Sequence, residues 1–339
     1  MAGSHPDASG WQPFRELVGM LFGPPLGPDA GLLSDSAPDP GLFGPQSQTW
    51  ILAREPVLLL GGGRALLMQV ANPLVAQGVL DHSDYARDPF GRLAGTVRWL
   101  VAVTFGTTAE AKAASAVVHR LHARVRGTVS PAAATLEAPA GTPYSASDLR
   151  LARWVHATVV HSMLATYETL VLPLDPSERD GFVREWDAVA RLMGVPTDLV
   201  WPDAAALDRY VVDEIAVLTA TGRCTSASRI AAATVLRPPL PSPLVRPPFA
   251  LTAWLTAGLL PPALSQAYGL RWTAAHEWAH RSVCSSHRRL HRHLPRQLRI
   301  SPLYEAAMRR GDGLGLRARD DEGVRTPVAP DVRRRSAHR

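Results

Sequence analysis

Between residues 46 and 310, apolar side chains recur with a period near 3.6 in long runs of Ala, Leu and Val, while two-residue alternation is scarce. That period lays one apolar stripe along each segment, a pattern that a helix buries and a strand does not. The expected fold is all-α: a single helical domain over 46–310, a flexible Pro/Gly-rich arm over 1–45 and a basic disordered tail over 311–339. The arm contains one short apolar turn, Phe14 to Leu21, and the tail includes Arg333-Arg334-Arg335. With 339 residues, 46% of them apolar and 19% charged, the chain can bury a sizeable core and is not disordered throughout.

Local signals divide the domain into helices. Arg64 to Leu80 reads as one, and Arg92 to Phe105, ending at Gly106, as a second. Thr107-Thr108-Ala109-Glu110 has the form of a capping box and opens a third that runs to Arg126 and stops at Gly127. A fourth starts near Ser145 to Asp148 and reaches about Leu172. Asp180 to Met193, Ala204 to Thr221 and Ser226 to Leu236 follow, with Ser226 a candidate N-cap. Beyond the proline-dense linker Arg237 to Pro248 come Phe249 to Leu260, Pro262 to His293 and Pro302 to Arg310.

Several function classes receive no support from composition. Two cysteines, Cys224 and Cys284, are too few for a disulfide scaffold or a thiolate zinc ribbon. The net charge of +6 rests almost wholly on arginine, Lys112 being the only lysine. Over the whole chain these arginines are dispersed, though densest toward the C-terminal end, and form no basic stripe with interleaved aromatics; no nucleic-acid partner is expected. The longest apolar stretch, Phe249 to Leu270, is interrupted by Pro261-Pro262 and Gln266, which argues against a spanning helix. Met1 to Gly10 has no basic segment followed by an apolar one, so a cytoplasmic location is expected, with peripheral membrane contact left open.

Five constellations could carry chemistry. Gly61-Gly62-Gly63-Arg64 lacks the spacing of a phosphate loop and reads as a tight turn into the next helix. Arg92 and Thr96, four apart, share one helix face; they could hold a carboxylate or simply pack along their stems. His122 and Arg126 repeat that spacing, with His122 at the edge of an apolar stripe as either a metal or haem ligand or a carbonyl-bonded histidine. His156 lies in an apolar run, as a site residue or a satisfied core residue. His276-Glu277-Trp278-Ala279-His280 matches H-E-x-x-H, the pattern of a zinc hydrolase, but no third-ligand motif follows it.

The ordered combination is more specific than any single motif. Leu58 to Pro73 (LLLGGGRALLMQVANP) is followed by Gly78-Val79-Leu80-Asp81-His82-Ser83 and Asp88-Pro89-Phe90-Gly91-Arg92. Then come Leu121 to Gly127 (LHARVRG), Tyr144-Ser145-Ala146, Trp154 to Thr158 (WVHAT), Leu259-Leu260-Pro261-Pro262 and Tyr268-Gly269-Leu270. This series resembles the MpaB/rubber-oxygenase family over roughly Trp50 to Arg310. The resemblance implies a globin-like helical domain with haem b as cofactor, acting as an oxygenase or oxidase on an apolar or lipid-like small molecule with O₂ or peroxide. It also implies His122 as the axial ligand to the haem iron, Arg126 beside it, Arg92 and Thr96 lining the pocket, and His156 supporting it. Gly95 stands where the latex-clearing branch has a lysine, and Asn72 where a histidine is expected; both count against rubber itself as substrate. A non-catalytic haem or lipid carrier and a zinc hydrolase on His276, Glu277 and His280 are the alternatives.

Overall fold

The computed structural model describes residues 39–82, 89–220, 224–240, 243 and 246–312, with side chains for these except 89–93 and 311–312. The arm before residue 39, including Phe14 to Leu21, and the tail after residue 312 lie outside the described residues. The first half of the domain holds α1 (Gln48–Ala53), α2 (Leu59–Gln69), α3 (Pro73–His82), α4 (Pro89–Phe105), α5 (Thr108–His122) and the strand pair β1 (Arg126–Thr128) and β2 (Pro143–Ser145). The second holds α6 (Leu149–Leu170), α7 (Pro176–Leu192), α8 (Ala204–Ala220), α9 (Ser226–Leu236) and α10 (Arg246–Gly258). It closes with α11 (Pro262–Ala267), α12 (Ala274–Leu290), α13 (Arg296–Arg299) and α14 (Pro302–Asp312). The described residues are all-α apart from that one antiparallel pair.

Helix α6 forms the axis of the core. Asp148 caps it by accepting the Arg150 N–H, and Trp154, Val160, Leu164 and Tyr167 are buried at helical spacing along it. A helix buried around much of its circumference needs neighbours on several sides; α2 packs on it most extensively, joined by α7, α8 and α12. Phe43, from the stretch read as arm, is buried against the ring of Trp186.

The glycine triplet corrects its sequence reading. Gly61, Gly62 and Gly63 lie inside α2 and not in a turn before it. A Cβ on Gly61 would stand 3.0 Å from Thr166 Oγ1 and 3.2 Å from the Ser162 carbonyl oxygen, and one on Gly63 would stand 3.0 Å from Thr256 Cγ2. The glycines thus set how closely α2 approaches α6 and α10, and close packing stabilises a helix that its propensities disfavour. Gly61→Val is expected to lower stability by about 1–3 kcal/mol through overpacking, read as a lower urea midpoint at unchanged slope.

Three other expected elements differ. The helix expected over Arg64 to Leu80 breaks at residues 70–72, where the axes of α2 and α3 bend by 106°. Pro73 cannot donate to the preceding turn, and Asn72 Oδ1 instead accepts the Leu74 N–H at 3.0 Å and the Val75 N–H at 3.4 Å, opening α3. The segment Pro262 to His293 breaks at Gly269, whose φ of +70° suits glycine, and restarts where Thr273 and His276 form a capping box. The N-cap of α9 is Thr225, whose Oγ1 accepts the Ser228 N–H at 3.3 Å, while Ser226 donates to the Ala132 carbonyl.

Candidate functional site

The hairpin of α4 and α5 carries three of the five residues singled out by sequence, Arg92, Thr96 and His122. Its turn is built locally: Thr107 Oγ1 accepts the Glu110 N–H at 3.1 Å while Glu110 returns a carboxylate oxygen to the Thr107 N–H at 2.7 Å. Trp99 Nε1 donates to Ser115 Oγ at 3.2 Å and fixes the register of the two helices. From that contact, one turn outward on α4 reaches Thr96 and two turns reach Arg92; two turns outward on α5 reach His122. Arg92 and His122 therefore lie level at the open end of the hairpin. The Arg92 side chain falls outside the described residues.

His122 is half-buried in the last turn of α5, on the same stripe as the buried Ala111 and Ser115. Thr96 and Gly95 are exposed, and a Cβ on Gly95 would meet nothing within 4 Å. On the outer flank of α5, Val117 and Leu121 present apolar side chains to solvent. Among the described residues, this end of the hairpin brings together the His122 imidazole, the Thr96 hydroxyl and apolar borders.

Arg126 departs from the expected arrangement. The helix stops at His122, so the two residues do not continue one helical face. The chain turns through Val125, whose N–H donates to the His122 carbonyl, into β1, where Gly127 pairs with Tyr144. A Cβ at Gly127 would press into the Tyr144 ring, so glycine is required for this crossing. Arg126 stays exposed next to His122, its Nε donating to the Ala123 carbonyl at 3.0 Å. From α3, His82 Nε2 reaches the Arg126 carbonyl at 2.9 Å, and Asp81 accepts the Tyr144 hydroxyl at 2.6 Å. Burial, followed by that bond to a carboxylate, pushes the Tyr144 phenol well above its ordinary pKa.

His156 sits elsewhere, on α6. Its ring stacks on Trp201 with centroids 6.2 Å apart and planes within 5°, and lies 6.2 Å from Trp186. Burial lowers its pKa from 6.5 to about 4, so the imidazole is neutral. Arg153 packs on the same cluster, its guanidinium carbon 4.5 Å from the Tyr210 ring and 5.3 Å from Trp201. The indole N–H groups of Trp186 and Trp201 have no acceptor among the described residues.

The H-E-x-x-H residues do not converge. His276 Nδ1 lies 3.0 Å from Thr273 Oγ1 in the cap of α12, Glu277 accepts the Trp272 indole N–H at 2.8 Å, and His280 Nε2 meets the Leu255 carbonyl at 3.1 Å. Among the described residues, no three His, Cys, Asp or Glu side chains are grouped to hold a metal ion. The motif here serves helix capping and packing.

A buried polar network escaped the sequence reading. Arg64 is 3% exposed; its Nε donates to the Leu259 carbonyl at 2.7 Å and its Nη1 to Ser162 Oγ at 2.8 Å, with His161 Nδ1 3.0 Å away. His161 Nε2 in turn faces Asp208 at 3.7 Å, and Arg179 donates to Asp208 at 2.9 Å. Burial, then the charges of Arg64 and Arg179, lower the His161 pKa to about 3. Arg64 following a glycine triplet was the available signal, but its partners are distant in sequence. A second pair, Glu55 and His291, meets at 2.8 Å with both side chains buried and ties the chain after α12 to that after α1.

Comparisons with known proteins agree with this architecture in extent. The family described as ER-bound oxygenase mpaB/B′/Rubber oxygenase, catalytic domain, matches residues 49–294. Two proteins described only as uncharacterized, from Mycobacterium bovis and Mycobacterium tuberculosis, are each 28% identical over 216 residues, covering 62% of this chain and 80% of the relative. No solved structure gives a significant match.

Proposed function

The chain belongs to the mpaB/rubber-oxygenase catalytic-domain family, an oxygenase family, and from that premise we propose that it is a haem b-dependent oxygenase or oxidase acting on an apolar small molecule. The observation that carries the reading is His122: an imidazole half-buried at a helix end, level with Arg92 and bordered by apolar Leu121 and Val125. The donor set suits a haem, which needs one neutral nitrogen ligand, apolar flanks and polar groups for two carboxylates. His122 would hold the iron. The Thr96 hydroxyl and the exposed Arg126 guanidinium would receive the propionates, with Arg92 as a further candidate on the Thr96 face. Gly95 adds no side chain beside Thr96, and an apolar substrate would pack against the exposed Leu121 and Val117. When bound, the haem supplies the oxygen or peroxide chemistry; the chain supplies ligation, shape and orientation.

The test is the absorption spectrum of the protein produced with ample haem, together with its iron and zinc content. The expected result is a strong Soret band that shifts on dithionite reduction, with iron equimolar to the chain. A colourless protein that takes up no haem on reconstitution overturns the reading. Oxygen uptake that depends on an added apolar substrate then separates an enzyme from a haem or lipid carrier.

A further inference from the structure

The positive charge, dispersed by count over the whole chain, is localised once net charge is followed along it. Residues 271–299 contain seven arginines and a single acidic residue, Glu277. Their formal net charge of +6 equals that of the entire chain, so everything outside this segment is balanced. In the fold the segment is α12, the turn after it and α13, running along the surface.

Helix α12 is two-faced. His280 and Cys284 on its inner side are buried, with His291 just beyond the helix. At 100° per residue, Trp278, Ser282, Ser285 and Arg289 form the opposite stripe, with Arg281 beside it. Trp278 is 69% exposed, and the Arg281 side chain is 73% exposed beside Glu277 at 3.5 Å. Leu290 and Leu298 add apolar surface at 58% and 56% exposure, interleaved with the exposed Arg289 and Arg292, and with Arg296, which pairs with Glu305 at 3.3 Å.

We propose that α12 and α13 form a docking face for an anionic lipid bilayer. Arginines attract acidic headgroups, and an exposed tryptophan, like the exposed leucines further along the segment, gains by entering the boundary between headgroup and acyl chain. A nucleic acid would match the charge but offers the leucines no apolar phase. No single described helix is long and apolar enough to cross a membrane, and a helix of 17 residues with this pattern lies in the interface plane. The face is independent of any haem.

The full chain is sedimented with phosphatidylcholine vesicles, with and without phosphatidylglycerol, at low and high salt. It is expected to bind only the anionic vesicles, and less at high salt. Each arginine near the surface contributes about fivefold in affinity, so Arg289→Ala with Arg292→Ala should weaken binding about 25-fold. Trp278→Ala should weaken binding at both salt concentrations, while Trp278→Phe retains much of it. These side chains are exposed, so unchanged thermal unfolding is expected and checks the fold. Absence of binding by the folded chain overturns the proposal, as does a double variant that binds as tightly as the parent. Binding that is indifferent to Trp278→Ala and abolished by duplex DNA also overturns it, in favour of a nucleic-acid face.

Discussion

The His122→Ala protein is expected to fold as the parent does and to lose its haem. The imidazole sits half-buried in the last turn of α5, where alanine keeps the helix, so the substitution would remove the proposed ligand and leave the fold in place. Changes beyond the ligands of a metal typically cost about 10–100-fold in affinity; loss of the sole protein ligand should exceed that, leaving no Soret band after gel filtration. Free imidazole added during reconstitution should restore part of the band, which a merely structural role for His122 would not allow. Asn72→Ala is the control, since Asn72 caps α3 and its loss should cost about 1 kcal/mol of stability with haem retained. Stoichiometric haem in the His122→Ala protein would overturn the assignment and move the ligand to another histidine.

What the sequence disclosed follows the range of the forces involved. The start of α5 was legible because Thr107 and Glu110 satisfy each other within four residues, and α6 because Asp148 precedes a long apolar stripe. The glycines of α2 were misread because propensity is local, whereas their partners Ser162, Thr166 and Thr256 are roughly a hundred or more residues away. The same holds for Arg64, whose ligands on α6 and at Leu259 meet it only in the folded state. In the candidate site, the level placement of His122 and Arg92 follows from a hairpin that the sequence announced. The fate of Arg126 does not, because a three-residue strand held by Tyr144 and Gly127 carries no periodic signal.

Acidification should unfold this protein early, and His156 should be a main reason. Its pKa is about 4 in the fold against 6.5 when exposed, because burial between Trp201 and Trp186 penalises the charged ring. Above pH 6.5 the ring is neutral in both states and contributes nothing to pH dependence. As pH falls toward 4 the unfolded chain takes up the proton first, so stability falls, by about 3 kcal/mol over that interval. His161, lowered to about 3 by burial and by Arg64 and Arg179, acts in the same direction and extends the loss to lower pH. Urea titrations at successive pH values should therefore show a midpoint that is level near neutrality and drops below about pH 6.5. His156→Phe keeps an aromatic ring against Trp201 but cannot titrate, and its curve should be flatter by about the same 3 kcal/mol. An unchanged slope in His156→Phe would mean that the ring is solvated and accepts its proton in the folded state. The same variant also completes the ligand test: if His122 holds the iron, His156→Phe retains the Soret band, its ring replacing an imidazole that is stacked on Trp201 and tilted against Trp186.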